Sequence, residues 1–320
     1  MQPSSKFVSI IVVILCGLLL SSCGTTKLFV PVTRPAEINL VKFKRIAIGE
    51  ITGQGGQNIT EDLTQALLES NRFEVLDRAH LDKVLGEHNL TTSGFIDEAK
   101  ASEIGKMLGA AVLVFGRVSV YKTDIKDTYQ DWKAKDGNHR TYYRTGVANI
   151  TANFQLTDLT TGKILTSKKI EGGSTQQLQN TDAKVTEDID RDALLSVGSK
   201  TVVTEFMKKI APYQENVQVK LFSDSDIPEL ERGISFAKIG QWDRAIDQFK
   251  SAIDSKPNQE NIHKAYFDLG VAYEYSYMFK EAMDALNKAF ALKAEQTYSD
   301  EMGNCRAREQ EYRKLQEQTQ

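Results

Sequence analysis

The chain has 320 residues, of which 41% are hydrophobic, and its 40 basic and 43 acidic side chains give a formal net charge of -3. This balance, without any block of Lys and Arg, argues against a protein that binds nucleic acid. A chain of this length is expected to form two domains, each with its own core.

The N-terminus predicts a secretion signal over residues 1–22. Lys6 and the amino terminus supply positive charge, and residues 7–20 are almost entirely apolar, which is typical of a signal peptide. The apolar stretch is shorter than the roughly 20 residues that a transmembrane helix needs. The run Leu20-Ser21-Ser22-Cys23 resembles a bacterial lipobox, whose cysteine is acylated, for example with palmitate, and becomes the new N-terminus.

Cys23 is therefore the predicted lipidation site, and two acyl chains already suffice for stable anchoring. The alternative is an ordinary cysteine after an ordinary cleavage site. The residue after the cysteine is Gly24 and not Asp. In enterobacterial lipoproteins the absence of Asp at this position favours transfer to the outer membrane. With Cys16 removed in the leader and Cys23 acylated, Cys305 has no partner for an intrachain disulfide. We expect a lipid anchor in the outer membrane, with the protein facing the periplasm.

Residues 23–37 are interpreted as the lipidated cysteine and an extended tether, because they show no helical or strand periodicity. An α/β domain is predicted over residues 38–212. Its first half alternates strands with helices. In chain order these are strand 41–51, helix 61–70 with Thr60 as N-cap, strand 73–76, helices 79–90 and 97–108, and strand 111–120.

The second half of this domain contains a strand with one buried face, because apolar and polar side chains alternate there. Its predicted parts are a polar stretch with a central turn (121–144), the alternating strand (148–156), a turn (160–162) into a strand (163–170), a polar loop (171–180) and a long helix ending near Lys209. The predicted fold class is α/β (α+β), a mixed sheet flanked by helices.

After a linker at residues 213–226, the C-terminal third predicts an all-α module that contains an internal repeat. Small residues recur with an offset of 37, as in Gly233 and Gly270 or Ala245 and Ala282. The small and aromatic positions resemble the tetratricopeptide repeat. We interpret residues 227–297 as two such repeats and residues 298–320 as a capping helix or tail. The alternative is an unrelated pair of helical hairpins.

Aromatic residues of these repeats are the candidate partner-binding residues, namely Phe236, Tyr266 and Tyr273. Small residues let the two helices of a hairpin approach, and aromatic side chains fill the remaining gap, which leaves a concave face for a protein partner. Most of these aromatics are expected to lie in the core. Two repeats are fewer than usually fold alone, so the module is expected to dock on the first domain or on a partner.

Three segments of the first domain carry a family resemblance: residues 71–78 (NRFEVLDR), 109–116 (GAAVLVFG) and 156–165 (LTDLTTGKIL). Together, across about residues 43–210, they resemble the curli secretion channel family, the CsgG-like proteins. The resemblance implies an outer-membrane lipoprotein that assembles as a ring and exports fibre subunits, each protomer adding two β-hairpins to the channel.

The sequence departs from the family's pattern where the channel would form. The loop after the first strand, residues 52–59, is short and has no aromatic residue. The candidate hairpins, residues 120–150 and 171–192, are polar, and a charge near the bilayer midplane costs on the order of 2–4 kcal/mol. We therefore expect the acyl chains on Cys23 to provide the membrane attachment.

The sequence predicts no catalytic residues, no cofactor and no metal site. Gly53, Gly55 and Gly56 could cradle a phosphate at a helix N-terminus, but they lack the further residues of a dinucleotide or P-loop motif. The four histidines are scattered and show no metal-ligand spacing.

The expected function is that of a non-enzymatic assembly or secretion component for curli-like cell-surface material, which binds partners through its repeat module. One alternative is a periplasmic lipoprotein that regulates a peptidoglycan synthase. Another is a nucleotide-binding enzyme that uses the glycine loop at residues 53–56.

Overall fold

The computed structural model describes residues 24–76, 111–255 and 260–319. The predicted leader, Cys23 and the two helices at 79–90 and 97–108 lie outside these residues. The elements in chain order are β1 (Gly24–Arg34), β2 (Arg45–Thr52), α1 (Gly56–Ser70), β3 (Glu74–Leu76), β4 (Ala111–Ala134), β5 (Gly137–Asp158), β6 (Ile164–Thr181), α2 (Arg191–Ile210), β7 (Tyr213–Ser223), α3 (Pro228–Lys238), α4 (Trp242–Ser255), α5 (Ile262–Tyr275), α6 (Phe279–Leu292) and α7 (Gln296–Thr319).

These elements form two compact units. The helical unit comprises residues 24–34 and 214–316, and the α/β unit comprises residues 35–213 and 317–319. The α/β unit has a five-stranded sheet in the order β3-β2-β4-β5-β6. β2 runs parallel to β3 and β4, whereas β4, β5 and β6 pair antiparallel. The predicted mixed sheet with flanking helices is therefore confirmed.

The core of the α/β unit lies between the sheet and helices α1 and α2. Phe154 of β5 stacks on Phe206 of α2 with ring centroids 4.2 Å apart, and α1 adds Leu63 and Leu67, which are fully buried. Burying such side chains contributes roughly 1.5–3 kcal/mol each. Helix α2 begins at the N-cap Asp190, whose carboxylate accepts hydrogen bonds from the two backbone N–H groups that follow Arg191.

Helix α1 starts five residues earlier than predicted, so Thr60 is not its N-cap. Gly55 is the N-cap, with a left-handed backbone at φ 77°. Thr60 lies inside the helix and its hydroxyl donates to the carbonyl of Gly56. The prediction was wrong because a Thr hydroxyl can bond either the preceding turn or an N-terminal N–H group, and the sequence does not distinguish the two.

Three strands are longer than predicted, and they form a ribbon. β4, β5 and β6 contain 24, 22 and 18 residues, so both the polar stretch at 121–144 and the polar loop at 171–180 are strands. β2 pairs with β4 only as far as Arg117. Beyond that level three strands continue as a ribbon, namely β4 from Val118, β5 up to Thr151 and β6 from Glu171. Of the candidate hairpins from the family resemblance, residues 120–150 form the β4–β5 hairpin, whereas of residues 171–192 only 171–181 are a strand and Arg191 begins α2. The local pattern missed the strands because much of the ribbon is solvated on both faces, so its side chains do not alternate.

The helical unit combines the four helices α3 to α6 with α7 and a two-stranded sheet of β1 and β7. The predicted tether and linker are therefore largely strands. In β1 the buried residues Leu28, Val30 and Val32 alternate with exposed ones. This alternation escaped the sequence reading because Phe29 and Pro31, on the exposed side, are themselves non-polar.

Candidate functional site

The predicted lipidation site directly precedes a strand. Cys23 lies outside the described residues, and its neighbour Gly24 is the first residue of β1. The hydroxyl of Ser223, at the end of β7, donates a hydrogen bond to the Gly24 carbonyl at 3.1 Å. Leu28 and Val30 then pack into the core of the helical unit. Strand structure thus begins one residue after the cysteine.

The helical hairpins α3–α4 and α5–α6 share one turn geometry, 37 residues apart. Gly240 and Tyr277 occupy equivalent positions and both have a left-handed backbone, with φ of 73° and 61°. The N–H of Gly240 donates to the Ala237 carbonyl, and that of Tyr277 donates to the Glu274 carbonyl, both at 3.0 Å. The repeat in the sequence is therefore also a repeat in the backbone.

Small residues bring the two helices of each hairpin together, as the sequence predicts. A Cβ atom at Gly233 would overlap the ring of Phe249, and one at Gly270 would lie 2.7 Å from Cγ of Leu286. Real Cβ atoms essentially never approach so closely, so each pair depends on the absence of a side chain. Phe249 and Leu286 are fully buried.

The three candidate partner-binding aromatics belong mainly to the packing between helices. Tyr273 is buried, while Phe236 and Tyr266 are partly buried against the core of the helical unit. A basic group covers each ring from a neighbouring helix. These groups are Arg244 over Phe236, Lys288 over Tyr266 and Lys250 over Tyr273, at 5.5, 5.7 and 5.5 Å from the centroid.

Helix α5 is buried on nearly all sides, because the end of β7 and helix α7 cover the face that α6 leaves open. The N–H of Phe222 donates to the Asp268 carboxylate at 2.9 Å. The ammonium of Lys264 donates to Asp224 at 2.7 Å. On the α7 side, the Tyr298 ring stacks on Phe267 with centroids 4.9 Å apart. The chain itself thus occupies this face of the repeat.

A buried acidic pair lies where α5 meets α7. Glu274 has a side-chain exposure of 0%, and burial followed by the nearby charge of Glu301 holds its pKa well above the ordinary value. Nε of Arg308 lies 3.1 Å from Glu274 Oε1, but its N–H does not point at that oxygen, so the two groups are close without a hydrogen bond. Arg308 instead covers the ring of Tyr275 at 4.0 Å.

The edge formed by the two turns of the repeat carries three exposed apolar side chains, of which Tyr277 lines a hollow and the other two adjoin lining residues in the sequence. Ile239, Tyr277 and Met278 are 66%, 49% and 39% exposed. The hollow beside them has a volume of about 650 Å³, and the stacked rings of Trp242 and Tyr275, 5.1 Å apart, line it. We call Ile239, Tyr277 and Met278 with this hollow the turn edge. The sequence reading missed it, although the non-glycine Tyr277 opposite Gly240 was a signal.

The end of the ribbon carries a second exposed cluster, which the sequence reading also missed. Trp132 stacks on His139 with centroids 4.7 Å apart, and its indole N–H donates to Thr141 at 2.9 Å. Hydrogen bonds from His139 to Asp182 and then to Asp136 raise the pKa of the imidazole. An open hollow of about 790 Å³ lies beside these side chains. A Trp within an otherwise polar stretch was the available signal.

The glycine loop has a structural explanation. A Cβ atom at Gly53 would overlap the carbonyl of Val118, and one at Gly55 would overlap the ring of Tyr121. The glycines thus allow the loop to pass close to β4, with Gly53 and Gly55 at positive φ.

Within the described residues, no three His, Cys, Asp or Glu side chains come together as a metal site requires. No helix in the described ranges is both long and apolar enough to span a membrane.

A protein-family model with the description "Curli production assembly/transport component CsgG" matches residues 25–211, which is more than half of the chain. The chain belongs to the CsgG family. The match covers β1 and almost all of the α/β unit, so the family resemblance of the first domain is confirmed. None of the curated proteins matches the chain.

Solved structures similar to this CsgG-family chain include three bacterial proteins. Lipoprotein GNA1162 from Neisseria meningitidis is 16% identical, with 51% of this chain and 96% of that chain covered and a TM-score of 0.29. The PelC dodecamer from Paraburkholderia phytofirmans is 13% identical, with 58% and 99% covered and a TM-score of 0.25. The LpoB C-terminal domain from Escherichia coli is 16% identical, with 40% and 82% covered and a TM-score of 0.26.

Proposed function

We propose that this protein is an outer-membrane lipoprotein, anchored through Cys23, that serves without catalysing a reaction as an assembly or secretion component for curli-like cell-surface material. Membership of a family described as a curli production assembly and transport component supports the pathway. The observation that carries the proposal is the ribbon, because its two long edges have no strand partner within the described residues.

The two edges of the ribbon differ in charge. On β4 the edge contains charges of both signs, including Lys122, Asp124 and Lys126. On β6 the ten residues 172–181 contain no charge and no proline, and their register with β5 is uninterrupted. Natural proteins usually protect an exposed edge with charges, prolines or bulges. An unprotected edge of this length is therefore expected to pair with another strand.

The β4 edge of a second copy provides the matching strand, because its charges meet no like charge on the uncharged β6 edge. If β6 of one protomer pairs with β4 of the next, the same contact repeats around the assembly, and a ring forms when the rotation closes. In a closed ring both long edges of every ribbon are then paired with a neighbouring protomer. This arrangement supports a homo-oligomeric ring as the working form of the protein.

The ring proposal is tested by the mass of the purified full-length protein in native mass spectrometry or analytical ultracentrifugation. Gln177→Lys combined with Gln179→Lys places two charges on the β6 edge, where both residues are exposed. We expect the wild type to form a closed oligomer and this variant to be a monomer, because pairing would bring the new ammonium groups against the next protomer.

The matched control places the same two charges away from the edge. Gln57 and Gln65 are exposed on α1 and each already bonds an acidic residue four positions on. Gln57→Lys with Gln65→Lys should therefore leave the oligomer intact. A wild type that is monomeric at all concentrations, or an edge variant that still assembles, contradicts the proposal.

The repeat module is proposed to be a pair of tetratricopeptide repeats that binds a protein partner. Because the chain itself covers the inner face of α5, we place partner binding at the turn edge and not at Phe236, Tyr266 or Tyr273. Tyr277 lines the hollow together with Trp242 and Tyr275, and the neighbouring Ile239 and Met278 are exposed, so this edge offers more uncovered apolar surface than the packed rings.

Pull-down from envelope extracts tests this partner role. Ile239→Asp with Met278→Asp should abolish recovery of the partner that the wild type captures. Phe290→Asp with Leu292→Asp is the control, since these residues are 37% and 56% exposed elsewhere on the helical unit. Recovery of secretion proteins supports the proposal, whereas recovery of a peptidoglycan synthase would favour the regulatory alternative.

A further inference from the structure

The first strand after the predicted acyl anchor has an outer face without acidic residues. β1 and β7 turn their apolar residues Leu28, Val30, Val219 and Leu221 into the core. The opposite face carries Thr25, Lys27, Phe29, Pro31, Gln218 and Lys220. We call these six residues the outer face of the β1–β7 sheet. These six side chains include two lysines and no acid; Lys27 is exposed, while the ammonium of Lys220 lies over the Phe222 ring and near the charge of Glu295.

Phe29 is the most exposed large apolar residue on the described part of the chain, at 70%. A single exposed apolar side chain is common and needs no explanation by itself. Phe29, however, shares its strand with a predicted acylated cysteine and shares its face with two lysines. A lysine-bearing face with a bulky apolar side chain is the composition of a protein surface that lies in a membrane interface.

We infer that the outer face of the β1–β7 sheet lies flat on the phospholipid surface in which the acyl chains of Cys23 are inserted, so that the anchor holds the helical unit against the membrane. This inference rests on the proposed acylation of Cys23. The lysines meet anionic phosphate groups, and the Phe29 ring enters the boundary between headgroups and acyl chains.

The geometry of the strand favours a flat orientation. The carbonyl of Gly24 is bonded to Ser223, so strand structure begins one residue after the anchor. Phe29 is six residues from Cys23, which is about 20 Å at roughly 3.3 Å per residue. The interfacial layer on each side of a bilayer is only about 5–7 Å thick. Phe29 therefore reaches it only when β1 runs along the surface, which also brings Lys27 and Lys220 to the headgroups.

Quenching of tryptophan by brominated lipid tests this orientation. The acylated full-length protein, with Trp132→Phe and Trp242→Phe, is placed in phosphatidylethanolamine–phosphatidylglycerol vesicles whose acyl chains carry bromine. Phe29→Trp in this background should lose most of its emission. Ile239→Trp is the control, since position 239 is 66% exposed in the same unit but on the turn edge, and it should keep its emission. Equal emission losses at the two positions would overturn the inference.

Vesicle binding by the unacylated protein provides a second measurement. Full-length Cys23→Ser should sediment weakly with the same vesicles in low salt. Lys27→Gln with Lys220→Gln should weaken this binding by about fivefold for each lysine. Lys238→Gln with Lys280→Gln removes two exposed lysines elsewhere and should have little effect. Equal weakening by both pairs would show that only net charge matters and would reject the outer face as the contact.

The two proposals fail in different ways. Absence of acyl mass on Cys23 in intact mass spectrometry refutes the lipoprotein proposal, whatever the vesicles show. If the protein is acylated and the Phe29→Trp variant keeps its emission in brominated vesicles, the anchor stands and the flat orientation is refuted.

Discussion

At the level of single residues, two glycines of the helical unit are expected to respond in opposite ways to the same substitution. Gly240 has φ 73° with open space around its Cα, so Gly240→Ala adds no clash and only strains the backbone. Gly303 lies in the interior of α7, also with open space. Gly240→Ala should lower the free energy of unfolding by about 1–2 kcal/mol, and Gly303→Ala should raise it by about 0.5–1 kcal/mol.

Urea denaturation followed by circular dichroism measures both effects on the helical unit. Because neither methyl group would contact another residue, the difference between the two variants isolates backbone conformation. Equal shifts in the same direction would mean that the left-handed turn is not maintained in solution.

The buried carboxyl group of Glu274 predicts how stability depends on pH. Its pKa is raised in the folded protein, mainly by burial and then by Glu301. The folded state therefore holds a proton that the unfolded chain releases above its ordinary pKa of 4.5. The free energy of unfolding should fall as pH rises above that value, by at most about 1.4 kcal/mol per pH unit. The full contribution of the protonated Glu274 to stability is present only below pH 4.5.

Glu274→Gln tests this expectation, because the amide resembles the protonated carboxyl group and does not titrate. The free energy of unfolding, measured by urea denaturation at each pH, should decrease less in the variant than in the wild type between about pH 5 and about pH 8. This interval begins just above the pKa of the unfolded chain, where the loss of stability starts. Parallel curves for the two proteins would assign the pH dependence to other groups.

At the level of elements, the approach of α3 to α4 depends on Gly233. A methyl group at this position would overlap the Phe249 ring. Gly233→Ala is therefore expected to destabilise the helical unit by about 1–3 kcal/mol through overpacking, despite the better helix propensity of Ala. Ser235→Ala, on an exposed face of the same helix, is the control and should change stability by less than about 0.5 kcal/mol.

A double-mutant cycle with Phe249→Leu identifies the cause. The second repeat has a leucine at the equivalent position, Leu286, so a smaller side chain is compatible with the hairpin. Loss of stability in the double variant should be less than the sum of the two single losses. Strict additivity would show that the Gly233 effect does not arise from contact with Phe249.

The same elements show where sequence patterns suffice. The second half of β5 and the offset between α3–α4 and α5–α6 were predicted because each buries one face and leaves the other in water, which produces a readable period. The local pattern did not predict the strands of the ribbon, since its distal residues are polar on both faces, as the exposed neighbours Asp127 and Thr128 show. In the ribbon β4 and β6 are specified by backbone pairing with the central strand β5, and a pairing partner is not visible in a local window.

Candidate sites were predictable to the extent that one residue defines them. The prediction of lipidation at Cys23 rests on four consecutive residues, and the packing role of Phe236 and Tyr273 follows from their repeat positions. The turn edge depends on two loops that are 37 residues apart and meet only after folding. Burial of α5 by Phe222 and Tyr298 was equally invisible, because the covering residues come from segments interpreted as a linker and a tail.

At the level of the whole molecule, the question is whether β1 is a structural strand of the helical unit or a flexible tether. Cys23→Ser removes only the acyl site, so the variant should be released from membranes as a folded protein with wild-type thermal stability. Deletion of residues 24–34 would be harmless if they were a tether. Because Leu28, Val30 and Val32 are buried, each should contribute roughly 1.5–3 kcal/mol, and the deletion should unfold the helical unit at markedly lower urea concentration.

The deletion is judged against Cys23→Ser, which lacks the lipid but keeps the strand. The transition of the α/β unit serves as the internal reference, since its core contains no residue of β1. A shift confined to the helical unit would show that the residues following the anchor are part of that unit. The membrane anchor would then restrain the repeat module directly, through a paired strand and not through a free linker. If the urea transition of the helical unit does not shift in the deletion variant, β1 is a tether. The basis for the flat orientation on the membrane is then removed.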